Sequence, residues 1–282
     1  MALNQEQLEK QGIYEAKAPL ASLLADLDQI GRLAEVANAR KKRNAKTGGY
    51  IMLGGLIGAV VGGMVLPPLM GLGFLALIVG FCWWIYSFFS GGKLVEHPLR
   101  VGVANERLKM LLEDASAKNL FSIRLALDTK PTMLRNEAWK QRNGKQEFFE
   151  EPWFWLEGQL LDGTYLRDEV KDLTRKRHYK TPRGKSKSKT RSTYLVIVRL
   201  CYPPSVYGDA RGAEKALHGH VRVPHSAALR AVRVSEKAIV MKALVAVDKE
   251  ITQTMGMLSV GGYRILNLAR KAVAAGQRGS SK

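Results

Sequence analysis

Charge is missing altogether from residues 48–92, which hold no Asp, Glu, Lys or Arg, while both flanks are rich in them. Cysteine is nearly missing as well. The two present, Cys82 and Cys201, fall in the apolar stretch and in an expected strand; this excludes a disulfide framework and fits a reducing compartment. Residues 1–46 lack the apolar core of a cleavable signal peptide. Acid is scarce against base, with 25 Asp and Glu facing 44 Lys and Arg for a net charge of +19. Residues 1–47 carry 8 basic and 6 acidic side chains, so +17 of that excess belongs to residues 93–282. A field of that sign favours polyanionic partners.

The usual signatures of catalysis are absent too. There is no phosphate-loop lysine motif, no nucleophile-elbow serine, no His-Glu-x-x-His and no cysteine pair. Gly71, Gly73 and Ala76 have the spacing of a dinucleotide loop, but they lie inside an apolar run with no strand before them. His218, His220 and His225 have only Glu214 as a nearby acid, too few donors for a metal site, and read as surface histidines. Asp162, Asp168 and Asp172 sit among basic residues and read as turn and surface groups. Catalytic, cofactor and metal residues are therefore each assigned as none, and a non-enzymatic role is favoured over an unrecognised hydrolase.

What is present begins with two apolar runs. Residues 49–66 would span about 27 Å as a helix and residues 69–89 about 31 Å, close to the roughly 30 Å of a hydrocarbon core. Pro67 and Pro68 part them. Arg40, Lys41, Lys42, Arg43 and Lys46 precede the pair, and Lys93 and Arg100 follow it. The positive-inside rule then predicts a transmembrane helical hairpin in the inner membrane, multi-pass, with both termini cytoplasmic. Trp83, Trp84, Tyr86, Phe88 and Phe89 would form an interfacial belt. Gly54, Gly58 and Gly62 recur every four residues beside a second row of Gly55, Ala59 and Gly63. Such glycine-zipper rows let helix backbones approach closely, here against the second run or against another protomer.

Apolar residues recur at 3,4 spacing at Leu20, Leu23, Leu27, Ile30, Ala34 and Ala37, and again at Val101, Ala104, Leu108, Leu111 and Ala115. This predicts two amphipathic helices flanking the hairpin, as a stalk or a short coiled coil. Period-two alternation at Phe121, Ile123, Leu125 and Leu127 predicts a strand, and residues 153–161, 165–177 and 192–202 predict three more in a meander. Residues 217–223 would add another. A helix is expected from Ser235, and a second, basic amphipathic one over residues 263–275.

The expected fold class is thus a membrane-anchored α+β chain. Its segments are a helical stretch at 1–47, the transmembrane hairpin at 48–90, a helix at 93–120, a basic β-rich domain at 121–234 and C-terminal helices at 235–282.

Residues 175–191 contain nine Lys or Arg and no acid: Arg175, Lys176, Arg177, Lys180, Arg183, Lys185, Lys187, Lys189 and Arg191. Pro182, Arg183 and Gly184 look like a hairpin tip. In an extended strand Lys185, Lys187, Lys189 and Arg191 would share a face. The role expected is an inner-membrane anchor or scaffold whose basic domain holds the anionic lipid headgroups of the bilayer or a protein partner. The alternative is a membrane-tethered nucleic-acid-binding protein, for which only Tyr179 supplies an interleaved ring.

Overall fold

The computed structural model describes residues 8, 12–65, 67–89, 98–128, 130–139, 144–211 and 221–279. By backbone contacts the chain forms two compact units. One comprises residues 1–4, 13–27 and 99–282, the other residues 5–12 and 28–98.

The first unit is an antiparallel sheet with helices on one face. Among the described residues it has eight strands, in the order β1 (Ile13–Pro19), β2 (Leu120–Ala126), β4 (Gly144–Gln159), β5 (Tyr165–Lys180), β6 (Ser186–Cys201), β8 (Ala238–Val245), β7 (Ala227–Val234), with β3 (Thr132–Trp139) paired to β4. Register explains why these residues form it. Ile123, Leu156, Asp168, Val198 and Met241 follow one another across β2, β4, β5, β6 and β8. The next row holds Leu125, Phe154, Val170, Val196 and Ala243. All of these are buried, so each strand contributes alternate residues to one covered face. Each large apolar chain so buried contributes about 1.5–3 kcal/mol.

The covering helices are α3 (Pro98–Leu111) and α5 (Ile251–Gly279), preceded by the short α4 (Pro204–Tyr207). From α3, Val101, Val103, Ala104, Leu108 and Leu111 are buried. From α5, Ile251, Met255, Leu258, Ile265 and Leu266 are buried, and this helix packs on β6 and β8. Gly262 marks the closest approach: a Cβ there would stand 2.5 Å from Leu200 and 2.9 Å from Met241.

A strand, β8, replaces the start of the helix expected from Ser235. Ser235 turns the chain from β7 into β8, its Oγ donating to the Ala238 carbonyl. In β8, Ile239, Met241, Ala243 and Val245 point inward while Lys242 takes the open face opposite Ile197. The segments 13–19 and 132–139 are also strands that the sequence reading did not contain.

The second unit holds most of α1 (Leu20–Val65), whose first turns belong to the sheet unit, and α2 (Pro67–Phe89). Among the described residues no helix is long and apolar enough to cross a membrane. This corrects the transmembrane hairpin and the membrane-anchored fold class, and with them the multi-pass inner-membrane placement with cytoplasmic termini. The basic cluster Arg40–Lys46 and the apolar residues that follow it lie in one continuous helix, α1, and α2 follows as a second helix. The pair nonetheless exposes Leu53, Ile57, Val60, Leu72, Phe74 and Ile78.

Of the two small-residue rows, Gly55 and Ala59 meet α2. A Cβ on Gly55 would lie 2.6 Å from the Leu77 nitrogen and 2.8 Å from the Gly73 oxygen, and one on Gly73 would collide with the Ala59 backbone. Gly54 has nothing within 4 Å, and Gly58 only Gly73, at 3.6 Å. The surroundings of Gly62 and Gly63 lie outside the described residues.

Candidate polyanion interface

β4, β5 and β6 are each 16 residues long, twice what the covered sheet needs. β8 pairs β6 only over residues 194–201 and β2 pairs β4 only over residues 154–158. The remaining halves, with β3 alongside, leave the helix-covered sheet as a four-stranded ribbon. The part of β6 without β8 beside it, residues 186–193, runs about 27 Å. The ribbon is closed by the turn at residues 181–185, where the Thr181 and Gly184 amides bond across and Gly184 takes φ +75°.

A polar cluster fixes the root of the ribbon. Arg100 on α3 reaches Glu151 at 2.7 Å and Asp172 at 3.1 Å, and donates to the Ala126 carbonyl at 2.9 Å. The Trp153 indole N–H donates to Asp172 at 2.8 Å and its ring lies 5.5 Å beneath the Arg100 guanidinium. Burial lifts the Asp172 carboxyl above its ordinary range against the opposing pull of Arg100. Asp172 is thus no surface group, and neither is the fully buried Asp168. Asp162 is a turn group, accepting from the Thr164 amide at 3.0 Å.

Register sorts the ribbon's side chains into two unlike faces. On the face continuous with the helix-covered side, Lys176 lies 4.9 Å over Phe149, and Glu147 meets Lys145 at 2.7 Å and His178 at 3.5 Å. Hydrogen bonding from Lys145 holds the Glu147 carboxyl below its ordinary value. Ser186, Ser188, Thr190 and Ser192 complete that face.

The opposite face gathers cations. Arg175 pairs with Arg191, Arg177 with Lys189, and Tyr179 with Lys187. Phe148 stands beside Arg175, and Arg135 beside Phe148, its guanidinium 4.1 Å over the ring. Arg135, Arg175, Arg177, Lys187, Lys189 and Arg191 are six cations on this face of the ribbon. Glu137, 3.2 Å from Arg135, is the acid among them. Burial and the neighbouring guanidiniums of Arg177 and Arg191 push Arg175 below the usual arginine range, the mark of like charges held together.

Of the nine cations read from the sequence, five therefore share this face: Arg175, Arg177, Lys187, Lys189 and Arg191. Lys176 and Lys180 take the other face. Arg183 lies in the turn and Lys185 closes it. Arg135 and Phe148 were missed because the sequence reading placed no strand over residues 130–152.

The same face runs on into the open side of the sheet. Lys171 bonds Glu150 at 2.7 Å and Glu169 at 3.0 Å there. Beyond it Trp155 stands between Arg124 and Glu169 in the register, with the Arg167 guanidinium 5.4 Å over its ring. A depression of about 860 Å³ opens around it, lined by Lys17, Arg124, Trp155, Arg167 and Glu169 among others.

Among the described residues no group of three or more His, Cys, Asp or Glu is placed to hold a metal ion. His218, His220 and Glu214 lie outside the described residues. Comparison with protein-family models, with curated proteins and with solved structures finds no match to this chain.

Proposed function

We propose that this chain is a non-enzymatic binding protein whose protruding ribbon takes a polyanion on one face. The observation that carries the reading is the segregation of charge: beyond the Lys171–Glu150 pair at its root, one face of the ribbon carries six cations and Glu137, while the other carries three lysines, Lys145, Lys176 and Lys180, with Glu147 and a row of Ser and Thr. A merely solvated charge run has no reason to sort its cations by face while holding Arg175, Arg177 and Arg191 in mutual repulsion. A polyanion would relieve that repulsion. The reading in which anionic lipid is the ligand drew its support from a membrane anchor, and the correction of the hairpin removes that support. Self-association through this face is opposed by like charge.

The test is retention of the full chain on heparin. A triple variant, Arg175→Glu, Lys189→Glu and Arg191→Glu, should elute at distinctly lower salt than the wild type. Lys176→Glu with Lys180→Glu, on the other face, should shift elution much less. Equal shifts per charge from the two faces would sink the reading, because net charge alone would then explain retention.

A further inference from the structure

Where the sequence reading had one ring, Tyr179, among the cations, the register also places Trp155 and Phe148 on the cationic face and its continuation. Trp155, Phe148 and Tyr179 align with Glu169, Arg175 and Lys187 in the register of β4, β5 and β6. The rows of Trp155 and Phe148 stand six residues apart along β5, about 20 Å, and Tyr179 follows four residues later, about 14 Å on. On β6, Lys187, Lys189 and Arg191 repeat about every 6.8 Å along the same track. This pitch is comparable with the six-bond repeat of an extended nucleic-acid backbone.

We infer that this open face is a track for single-stranded nucleic acid, its cations holding phosphates while bases stack at Trp155, Phe148 and Tyr179. The inference rests on the polyanion reading above and narrows it to one ligand class. Shape argues for a single strand over a duplex. Four strands at 4.7–4.9 Å spacing span about 14 Å between outer backbones, against a major groove about 12 Å wide, so the ribbon is too broad to enter it. A duplex would touch the face only along its phosphates and would hide its bases from the rings. An open sheet face bearing rings and cations suits unstacked bases, which rest equally on aromatic faces and on guanidinium planes. Arg167 over Trp155 and Arg135 over Phe148 therefore extend the stacking surface.

The test uses the full chain and fluorescence anisotropy with a labelled mixed-sequence 20-nucleotide single strand, as DNA and as RNA, and with the matching duplex. The single strand should bind more tightly than the duplex, with a log–log salt slope of roughly −0.7 per phosphate neutralised. Trp155→Leu and Phe148→Leu keep apolar bulk, and each should weaken single-strand binding on the order of tenfold. Neither should change the salt of elution from heparin, which carries no bases. Trp155→Phe, which keeps a ring, should retain most of the affinity and guards against a misfolded leucine variant.

Wild-type affinity in both leucine variants would overturn the inference, as would a duplex bound as tightly as the single strand. In either case the heparin result would still stand on its own. Loss of face-specific heparin retention would instead remove the polyanion reading and this inference together.

Discussion

Arg107 on α3 donates its Nε–H to Asp168 on β5 across 2.7 Å, with the two side chains 2% and 0% exposed. Its Nη2 donates to Ser259 Oγ at 2.7 Å, so the pair ties both covering helices to the middle of the sheet. Asp168 Oδ1 has no hydrogen-bond partner among the described residues, and burial lifts the carboxyl above its ordinary range against the attraction of Arg107. The desolvation cost is therefore only partly offset, in a row otherwise made of Ile123, Leu156, Val198 and Met241. Removing one partner strands the other. Arg107→Met should cost about 3–5 kcal/mol in urea unfolding at neutral pH. Arg107→Met combined with Asp168→Leu should recover most of that loss or surpass the wild type. A double variant no more stable than Arg107→Met would show that the pair contributes more than its desolvation removes.

Asp162 responds to pH in the opposite sense. Burial raises it, but hydrogen bonds from Tyr207 at 2.5 Å, from the Thr164 amide and hydroxyl, and from Tyr263 outweigh burial and hold it below the ordinary aspartate value of 3.8. A carboxyl with a depressed folded value adds stability that is fully present above about pH 3.8 and is lost as pH falls through that folded value. Asp162→Asn should make the urea midpoint less steeply dependent on pH below 3.8. On the alkaline side, burial and then Asp162 push Tyr207 up to about 12, so the stability it adds is present below pH 10 and lost between 10 and 12. Tyr207→Phe should flatten that limb. An unchanged acid limb in Asp162→Asn would mean that the bonds around Asp162 do not survive in solution.

How much of this could be read from the chain depends on the residue. β2 was legible because Phe121, Ile123 and Leu125 are separated by Ser122 and Arg124, and β6 because a short apolar run rich in Val and Ile, residues 194–198, is soon ended by Pro203 and Pro204. β8 was not, since Ile239 and Val240 are adjacent apolar residues on opposite faces, and only pairing with β6 separates them. β3 is exposed along the length whose burial is described and is specified by its partner β4, so no local pattern announces it. The basic run itself was plain to see. The placement of Phe148 was not, because it depends on a bulge. Trp155 faces the open side, and an unbroken β4 would send Phe149 there. The irregularity between Pro152 and Phe154 inserts Trp153 and reverses the alternation, so Phe148 and Gln146 take the cationic face. Nor could Asp168 be read as buried, since its partner lies 61 residues away on a helix.

Gly54 and Gly55 are adjacent in α1, yet opposite effects are expected from adding one methyl group to each. At Gly54 the methyl meets nothing within 4 Å, and alanine should raise helix stability by about 0.8–1 kcal/mol through propensity alone. At Gly55 it would sit 2.6 Å from the Leu77 nitrogen and 2.8 Å from the Gly73 oxygen. These are backbone atoms, which cannot rotate aside as a side chain would, so α1 and α2 must separate. Such overpacking costs about 1–3 kcal/mol, enough to exceed the propensity gain. Gly73→Ala would drive its methyl group into the Ala59 backbone and should fail in the same way. Hydrogen exchange of the amides at residues 52–59 reads the outcome directly. Faster exchange in Gly55→Ala and Gly73→Ala, with unchanged or slower exchange in Gly54→Ala, is the expected result. If all three exchanged alike, α1 and α2 would not be in contact through Gly55 and Gly73, and the row containing Gly55 and Ala59 would have lost its partner.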